Sequence, residues 1–187
     1  MRYILLLFVF VLGLFSLGIT IDDTIDACNE VEQHVNLFHF DSPDRVRKQA
    51  LKYVAFVVHW SEEYQIDPLL TATVIDMESS WIPNRPGKLG EIGLMQVHYS
   101  GFKKGFDLSK PTEQIHAGVK ALRYCFDHCG QELNRGLTGY ATGKCRNSYP
   151  GLRLRLKNYR KTLRVHRVKE KADPIINEID NILREMR

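Results

Sequence analysis

Glu78 is the residue whose type and position best suit proton transfer. It lies at the end of an otherwise apolar predicted helix, residues 69–80. Ile75 and Val74 precede it by three and four residues, so Glu78 shares the face that a helix buries. Asp76 falls on another face, where we expect easier access to solvent. A carboxyl group in apolar surroundings disfavours its charged form and can hold a proton near neutrality, as a general acid must. The alternative is a solvated glutamate at a frayed helix end.

Two further motifs follow Glu78-Ser79 along the chain. After a glycine-rich loop the sequence reads Ile92-Gly93-Leu94-Met95-Gln96-Val97, and Gly139-Tyr140-Ala141-Thr142-Gly143 comes later. In this order and at this spacing, residues 65–150 resemble the lytic transglycosylases of the lysozyme superfamily. The signature of that family is Glu-Ser at a helix end, then Gly-Leu-Met-Gln, then an Ala-Tyr-Asn-Ala-Gly box.

The resemblance implies a reaction for Glu78. In that family a single glutamic acid protonates the glycosidic oxygen between N-acetylmuramic acid and N-acetylglucosamine in peptidoglycan. The substrate's acetamido group replaces a second carboxylate, as in other substrate-assisted exceptions to the two-carboxylate scheme. The same glutamate, now ionised, deprotonates the muramic C6 hydroxyl, which closes a 1,6-anhydro ring without consuming water. No cofactor is implied.

The resemblance also implies that Ser79, Met95, Gln96 and Tyr140 line the substrate cleft. Gln96 and Tyr140 would donate or accept hydrogen bonds near the acid and the sugar, and Met95 would form part of the wall. Each has a purely structural alternative. Met95 suits an ordinary core position, Tyr140 could tie two helices together, and Ser79 could cap the local backbone.

The chain departs from the family pattern at several positions. Ala141 and Thr142 replace the asparagine and the second alanine of the box, and Gln114 stands where asparagine is common. Glu91 replaces a frequent alanine and is a potential second carboxylate. At about 6.5–9.5 Å from Glu78 it would activate water, giving an inverting hydrolase like goose-type lysozyme. We expect instead a loop residue exposed to solvent. A third hypothesis, a non-catalytic wall-binding scaffold, is disfavoured by the presence of the acid.

Helical patterns dominate the chain and strand patterns are scarce. The sequence therefore predicts an all-α, lysozyme-like single domain. Apolar periodicity predicts a helix over residues 46–60 with a polar end at 61–63. Asp67-Pro68 predicts the capped start of the Glu78 helix, and Pro83 its end. Further helices are predicted from Pro111 to near Gly130 and over residues 131–137.

The first twenty residues are predicted to direct export. Arg2 gives a minimal positive start, and residues 4–19 are almost wholly apolar. Small residues before a possible cleavage point after Gly18 suit a signal peptide. The run is also just long enough for a retained membrane anchor, and both alternatives remain open. Either predicts a protein that is periplasmic, anchored in the inner membrane facing the periplasm, or secreted to the wall.

The C-terminal part is basic. Residues 153–187 hold eleven Lys/Arg and five Asp/Glu. Two apolar helical stripes run through it: Leu152, Leu156, Tyr159 and Leu163, then, after Asp173-Pro174, Ile175, Ile179, Ile182 and Met186. The tail would contact anionic membrane lipid or wall polymer, or, as we favour, form two amphipathic helices that pack on the domain. Nucleic acid is not expected, because no binding motif accompanies the charge. We divide the chain into residues 1–20, 21–150 and 151–187.

Four cysteines suit an oxidising destination. Cys125 and Cys129 lie four apart on a predicted helix, about 5–6 Å between β-carbons, too far for a relaxed disulfide. Cys145 follows the tyrosine box and could fold back on that helix, so we predict a Cys129–Cys145 bridge. Cys28 with Cys125 is the leftover pairing. A zinc site is disfavoured, because the chain has no second cysteine pair and no His-Glu-x-x-His run.

Overall fold

The computed structural model describes residues 20–38, 44–97, 100–166 and 169–186. Within these ranges the chain is helical and contains no strands, which confirms the predicted all-α fold. Two isolated β-bridges, Pro86 with Ile92 and Ile92 with Val97, shape the loop after the Glu78 helix. The helices are α1 (Ile21–Phe38), α2 (Asp44–Leu51), α3 (Val54–Glu63), α4 (Pro68–Ser79), α5 (Ser100–Lys103), α6 (Pro111–His128), α7 (Leu133–Thr142), α8 (Leu152–His166) and α9 (Lys169–Glu185).

Helix α4 is the buried centre of the fold. Residues 69–75 are all buried, and α1, α3 and α8 pack against this helix. Its start is built as predicted. The Asp67 carboxylate accepts the backbone N–H groups of Leu69 and Leu70 at 2.8 and 3.4 Å, and Pro68 occupies the first helical position. These contacts satisfy donors that have no partner within the helix.

Helix α4 ends at Ser79, four residues before Pro83. Ser80 is left-handed, with φ of 52°, and its N–H donates to the carbonyls of Ile75 and Asp76. The helix therefore stops through a left-handed C-cap, and the proline is not needed to end it. Glu78 lies in the last turn as a consequence.

The helix predicted over residues 46–60 is in fact two helices. α2 ends at Leu51 and α3 begins at Val54, with a turn between them. The apolar face survives the break, because Val54, Val57 and Val58 are buried in α3. The prediction of a polar end at residues 61–63 was wrong at Ser61. This side chain is buried, and its hydroxyl donates to the hydroxyl of Thr71 at 2.8 Å.

The other predicted helices are present with shifted bounds. α6 (predicted from Pro111 to near Gly130) ends at His128, and its buried face includes Ile115, Val119, Leu122 and Phe126. The short helix that we expected over residues 131–137 is α7, which begins at Leu133 and continues through the tyrosine box to Thr142. Gln131, in the turn between α6 and α7, has a positive φ of 66°. This is not a right-handed helical conformation, so α7 begins after Gln131.

The first helix of the basic segment is built into the core. The predicted stripe of α8 is buried, at Leu152, Leu156, Tyr159 and Leu163. α8 packs on α4, and the Tyr159 hydroxyl donates to the capping carboxylate of Asp67 at 2.8 Å. The basic residues Arg153 and Lys157 are exposed. Contact of this basic surface with membrane lipid or wall polymer stays a prediction.

Helix α9 packs on α8 and differs in detail from the prediction. It begins at Lys169, so Pro174 lies inside the helix and not at its start. The buried residues are Ile176, Ile179 and Leu183; the expected Ile175, Ile182 and Met186 pack on the core from partly buried positions.

Cys129 and Cys145 form the predicted disulfide. Cys28 and Cys125 are free thiols, so the leftover pairing was wrong. Burial raises the pKa of each thiol to about 11, and near Cys28 the charges of Glu62 and Glu32 add to the effect. Both thiols therefore stay protonated at neutral pH and are poor nucleophiles.

We predict that the double substitution of Cys129 and Cys145 by serine lowers the free energy of unfolding by about 3 kcal/mol. The bridge joins residues 16 apart, and opening such a loop restores entropy mainly to the unfolded chain. Urea unfolding followed by circular dichroism measures the change. Cys28→Ser, which breaks no bond, is the control and should cost about 1 kcal/mol or less. An equal loss in both variants would contradict the prediction.

No helix within the described ranges is long and apolar enough to cross a membrane. The predicted export segment, residues 1–20, lies outside those ranges except for Thr20.

Candidate active site

Glu78 is the partly exposed carboxylate at the end of the buried helix. Val74 and Ile75 on the same face are fully buried, whereas the Glu78 side chain is 20% exposed. Its Oε1 accepts a hydrogen bond from Nη2 of Arg155 at 2.8 Å. The acid is therefore neither in a purely apolar pocket nor freely solvated. It is held in an ion pair at the surface of the core.

Arg155 is the ion-pair partner of Glu78, and sequence analysis missed this contact. It comes from α8, 77 residues after Glu78, and its side chain is only 6% exposed. The burial of its charge disfavours ionisation, but Glu78 and the neighbouring Tyr149 and Tyr140 outweigh that effect and raise the pKa of the guanidinium. A signal was present in the sequence. Arg155 lies three residues after Leu152, inside the apolar stripe of α8, where a solvated arginine does not belong.

Tyr149 lies beside the guanidinium of Arg155. The Arg155 guanidinium carbon lies 5.9 Å from the centre of its ring, a distance at which a cation and an aromatic face attract. The Tyr149 hydroxyl and the Arg155 Nε and Nη1 atoms are buried. Gly151 permits this packing, because a β-carbon there would lie 2.8 Å from the Tyr149 ring.

Tyr140 and Met95 join α7 to the loop after α4. The Tyr140 hydroxyl donates to the backbone carbonyl of Met95 at 2.6 Å. Met95 is fully buried, and a β-carbon at Gly118 of α6 would overlap its sulfur at 2.4 Å. Burial, and secondarily the charge of Glu78, raise the pKa of Tyr140 well above its usual value. Tyr140 is therefore a neutral phenol beside the acid, and it also ties two elements together.

Gln96 and Ser79 make local backbone contacts. Gln96, at a positive φ of 49°, donates through Nε2 to the carbonyls of Arg85 and Gly93, both at 2.8 Å. Ser79 is buried, and its hydroxyl donates to the carbonyl of Ile75 at 3.2 Å. Ser79 therefore holds the last turn of α4, and Gln96 holds the loop that follows it. Their predicted contacts with substrate stay predictions.

Gln114 accounts for the glycine in the Gly-Leu-Met-Gln motif. Its Oε1 accepts the N–H of Leu94 at 3.0 Å, and its Nε2 donates to the carbonyl of Leu108 at 2.8 Å. Gly93 has a φ of 89°, and a β-carbon there would lie 2.4 Å from the Gln114 side chain. Glycine is thus required twice, for the backbone conformation and for the close approach of α6.

Glu91 is half-buried within the same loop, where we expected a residue exposed to solvent. Its Oε2 accepts the N–H of Leu89 at 2.8 Å, and its backbone carbonyl accepts the N–H of Gly87 at 2.9 Å. A β-carbon at Gly87 would overlap this carboxylate. Glu91 therefore shapes the loop that carries it.

Asp76 is a structural carboxylate, and the expectation that solvent reaches it easily was wrong. Its side chain is 16% exposed. One oxygen lies 2.5 Å from Nε2 of the buried His34, and the other accepts the indole N–H of Trp81 at 2.5 Å. Thr162 of α8 contacts the other His34 ring nitrogen at 3.2 Å. The carboxylate is thereby used to join α1, α4 and α8.

Metal binding has no support in the part of the chain that the structure describes. No group of three or more His, Cys, Asp or Glu side chains there is arranged to hold an ion.

Comparisons with known proteins identify the family of the chain. The family model described as "Transglycosylase SLT domain" matches residues 56–161, more than half of the chain, and includes both Glu78 and Arg155. A protein of Enterobacteria phage PRD1 named "Transglycosylase" is 33% identical over 103 residues. That match covers 49% of this chain but only 37% of the phage protein. No solved structure is significantly similar. The chain belongs to the transglycosylase SLT family.

Proposed function

We propose that this protein is a peptidoglycan lytic transglycosylase that cleaves the bond from N-acetylmuramic acid to N-acetylglucosamine and leaves 1,6-anhydromuramic ends. The observation that carries the proposal is the partly exposed Glu78 carboxylate at the end of a buried helix, within the matched family domain. The phage relative is named a transglycosylase, which agrees with this class of reaction.

In the proposed reaction Glu78 acts first as an acid and then as a base. It donates its proton to the glycosidic oxygen, and the bond to the muramic C1 breaks. The resulting carboxylate takes the proton of the muramic C6 hydroxyl, whose oxygen bonds to C1. The proton gained equals the proton given, so the enzyme is restored without water. The C6 hydroxyl belongs to the substrate and is at high effective concentration at C1.

The competing hydrolase function needs a group that activates water. Glu91 was the candidate from sequence, and its carboxylate is bonded within its own loop. Asp76, two residues before Glu78 in the sequence, is held by His34 and Trp81. The contacts of both residues favour the transglycosylase reaction over hydrolysis.

The peptidoglycan substrate lies outside the cytoplasm, so we also propose that the enzyme acts after export. The Cys129–Cys145 disulfide supports this proposal, because such bonds persist in oxidising compartments.

We predict that digested peptidoglycan carries 1,6-anhydromuramic termini, which are non-reducing and lighter by one water than a hydrolase product. Mass spectrometry of the muropeptides released from purified sacculi measures this, with a lysozyme digest as the reference for reducing ends. Reducing muramic termini would reject the mechanism and would make Glu91 the first residue to test for water activation. No release of muropeptides by the wild type would favour the scaffold hypothesis.

A further inference from the structure

Residues 82–92 form the loop between α4 and the Gly-Leu-Met-Gln motif, and hydrogen bonds hold its backbone. The N–H of Gly87 donates to the carbonyl of Glu91 at 2.9 Å, which closes a turn. From outside the loop, Nζ of Lys103 donates to the carbonyl of Gly90 at 2.6 Å, near the tip of that turn. The 82–92 loop therefore has a defined backbone.

The same loop exposes large apolar side chains. Ile82, Leu89 and Ile92 are all exposed, Leu89 the most at 73%. The other exposed large hydrophobic side chains in the described ranges lie singly on separate helices: Ile25 in α1, Tyr124 in α6 and Leu154 in α8. Single exposed apolar residues are normal, whereas a concentration of them marks an interaction site. The 82–92 loop has such a concentration.

Positive charge accompanies these apolar side chains. Residues 82–104 contain four Lys/Arg and one Asp/Glu, although residues 1–152 contain fifteen Lys/Arg and seventeen Asp/Glu. Arg85, Lys88 and Lys104 are exposed, and the single acid is bonded to the backbone of the loop itself. The surface therefore suits a ligand that carries carboxylates beside small apolar groups.

The 82–92 loop is continuous with the candidate active site. It begins four residues after Glu78, and four residues of chain span at most about 14 Å. Gln96 donates to the carbonyl of Arg85 within the loop at 2.8 Å. Its neighbour Met95 accepts the hydrogen bond of Tyr140, the phenol on which the charge of Glu78 acts. A sugar bound at the acid therefore has its substituents within reach of the start of the loop.

We propose that the 82–92 loop binds the acidic peptide attached to the lactyl group of N-acetylmuramic acid, so that the enzyme prefers glycan strands that carry this peptide. The inference rests on the proposed function and names the part of the substrate that the loop recognises. The peptide offers carboxylates to Arg85 and Lys88 and alanine methyl groups to Leu89 and Ile92. A strand without the peptide keeps only the lactyl carboxylate.

A membrane surface is the other partner that combines negative charge with apolar contact. A segment that lies in a lipid interface buries the apolar face of a whole helix. The 82–92 loop exposes three apolar side chains and lies next to the acid, where the substrate arrives in every turnover. These observations favour the peptide of the substrate.

The test compares kcat/KM on soluble glycan strands that carry the peptide and on the same strands after an amidase has removed it. We expect the wild type to prefer the peptide-bearing strands by about tenfold, the effect of burying one apolar side chain and pairing one charge. The difference should lie mainly in KM, because contacts remote from the reacting atoms are made equally in the ground state and the transition state.

The double variant Lys88→Gln with Leu89→Ser should bring the two values together by lowering the activity on peptide-bearing strands. Both side chains are exposed, so the fold should survive, which circular dichroism checks. The matched control, Lys52→Gln with Leu154→Ser, makes the same chemical changes at exposed positions outside the loop and should keep the preference. A wild type without the preference, or a preference that survives in the loop variant, would overturn the proposal.

Binding gives a second test that does not depend on turnover. Cosedimentation with intact and peptide-free sacculi is measured for Glu78→Gln, with and without the two loop substitutions. The loop substitutions should weaken binding to intact sacculi about tenfold and remove the difference between the two preparations. Equal binding in both proteins, with loss of binding to vesicles of anionic lipid in the loop variant, would overturn the proposal and assign the loop to a membrane surface.

The same digests separate this inference from the proposed function. The ends of the cleaved strands are analysed by mass. Reducing ends with a preference that depends on the loop would reject the transglycosylase product and support recognition of the peptide. Anhydro ends without any preference would do the reverse.

Discussion

Replacement of Glu78 by glutamine should lower the release of muropeptides from purified sacculi by about 10²- to 10⁴-fold, the usual contribution of a positioned general acid. The amide keeps the size of the side chain and an oxygen that can accept the hydrogen bond from Arg155. The fold should therefore survive, and binding of glycan strands should be retained. Release is measured by chromatography of the soluble products, and the fold by circular dichroism.

Glu91→Gln is the matched control for this substitution. It makes the same chemical change thirteen residues later, at a carboxylate bonded to the backbone of its own loop. We expect it to keep most of the activity. If Glu91→Gln is as inactive as Glu78→Gln while both are folded, two carboxylates share the reaction and a hydrolase mechanism replaces the one proposed.

Truncation after Pro150 should prevent folding altogether. It removes α8, whose buried side chains include Leu152, Leu156 and Leu163. Each such side chain contributes about 1.5–3 kcal/mol when buried, and a whole domain is stable by only about 5–15 kcal/mol. The fragment should lack a cooperative thermal transition in circular dichroism. A folded fragment of residues 21–150 would contradict this expectation and would support the division of the chain at residue 150.

Two leucines of α8 offer a matched comparison within the intact chain. Leu156 is fully buried, and Leu154 is 54% exposed on the same helix. Leu156→Ala should lower the free energy of unfolding by about 2–5 kcal/mol, while Leu154→Ala should change it by about 0.5 kcal/mol or less. Equal effects would mean that helix propensity, and not core packing, explains the need for α8.

Features of the fold that depend on nearby residues could be predicted from the sequence. The start of α4 follows from Asp67 and Pro68, whose effects act within one turn. Its end was predicted close to Glu78, although the left-handed Ser80 and not Pro83 ends the helix. The Cys129–Cys145 bridge was also predicted, because both residues flank the short helix that brings them together.

Features that depend on distant contacts could not be predicted. Nothing in the neighbouring sequence shows that Asp76 contacts His34, which precedes it by 42 residues. For this reason the prediction that solvent easily reaches Asp76 was wrong. The break between α2 and α3 contains neither proline nor glycine and left no signal. Arg155 was counted with the basic tail, since a charge count does not distinguish a buried arginine from a solvated one.

The positions of Glu78 and Arg155 along the chain determine when their ion pair can form. Glu78 is synthesised early, and Arg155 and the helix that carries it come 77 residues later. During synthesis the motif that contains Glu78 emerges before the helix that carries its ion-pair partner. We therefore expect a growing chain to be inert toward glycan until α8 has joined the core. Under the proposed function, a cell that produces the protein would meet its activity on peptidoglycan only after α8 has folded.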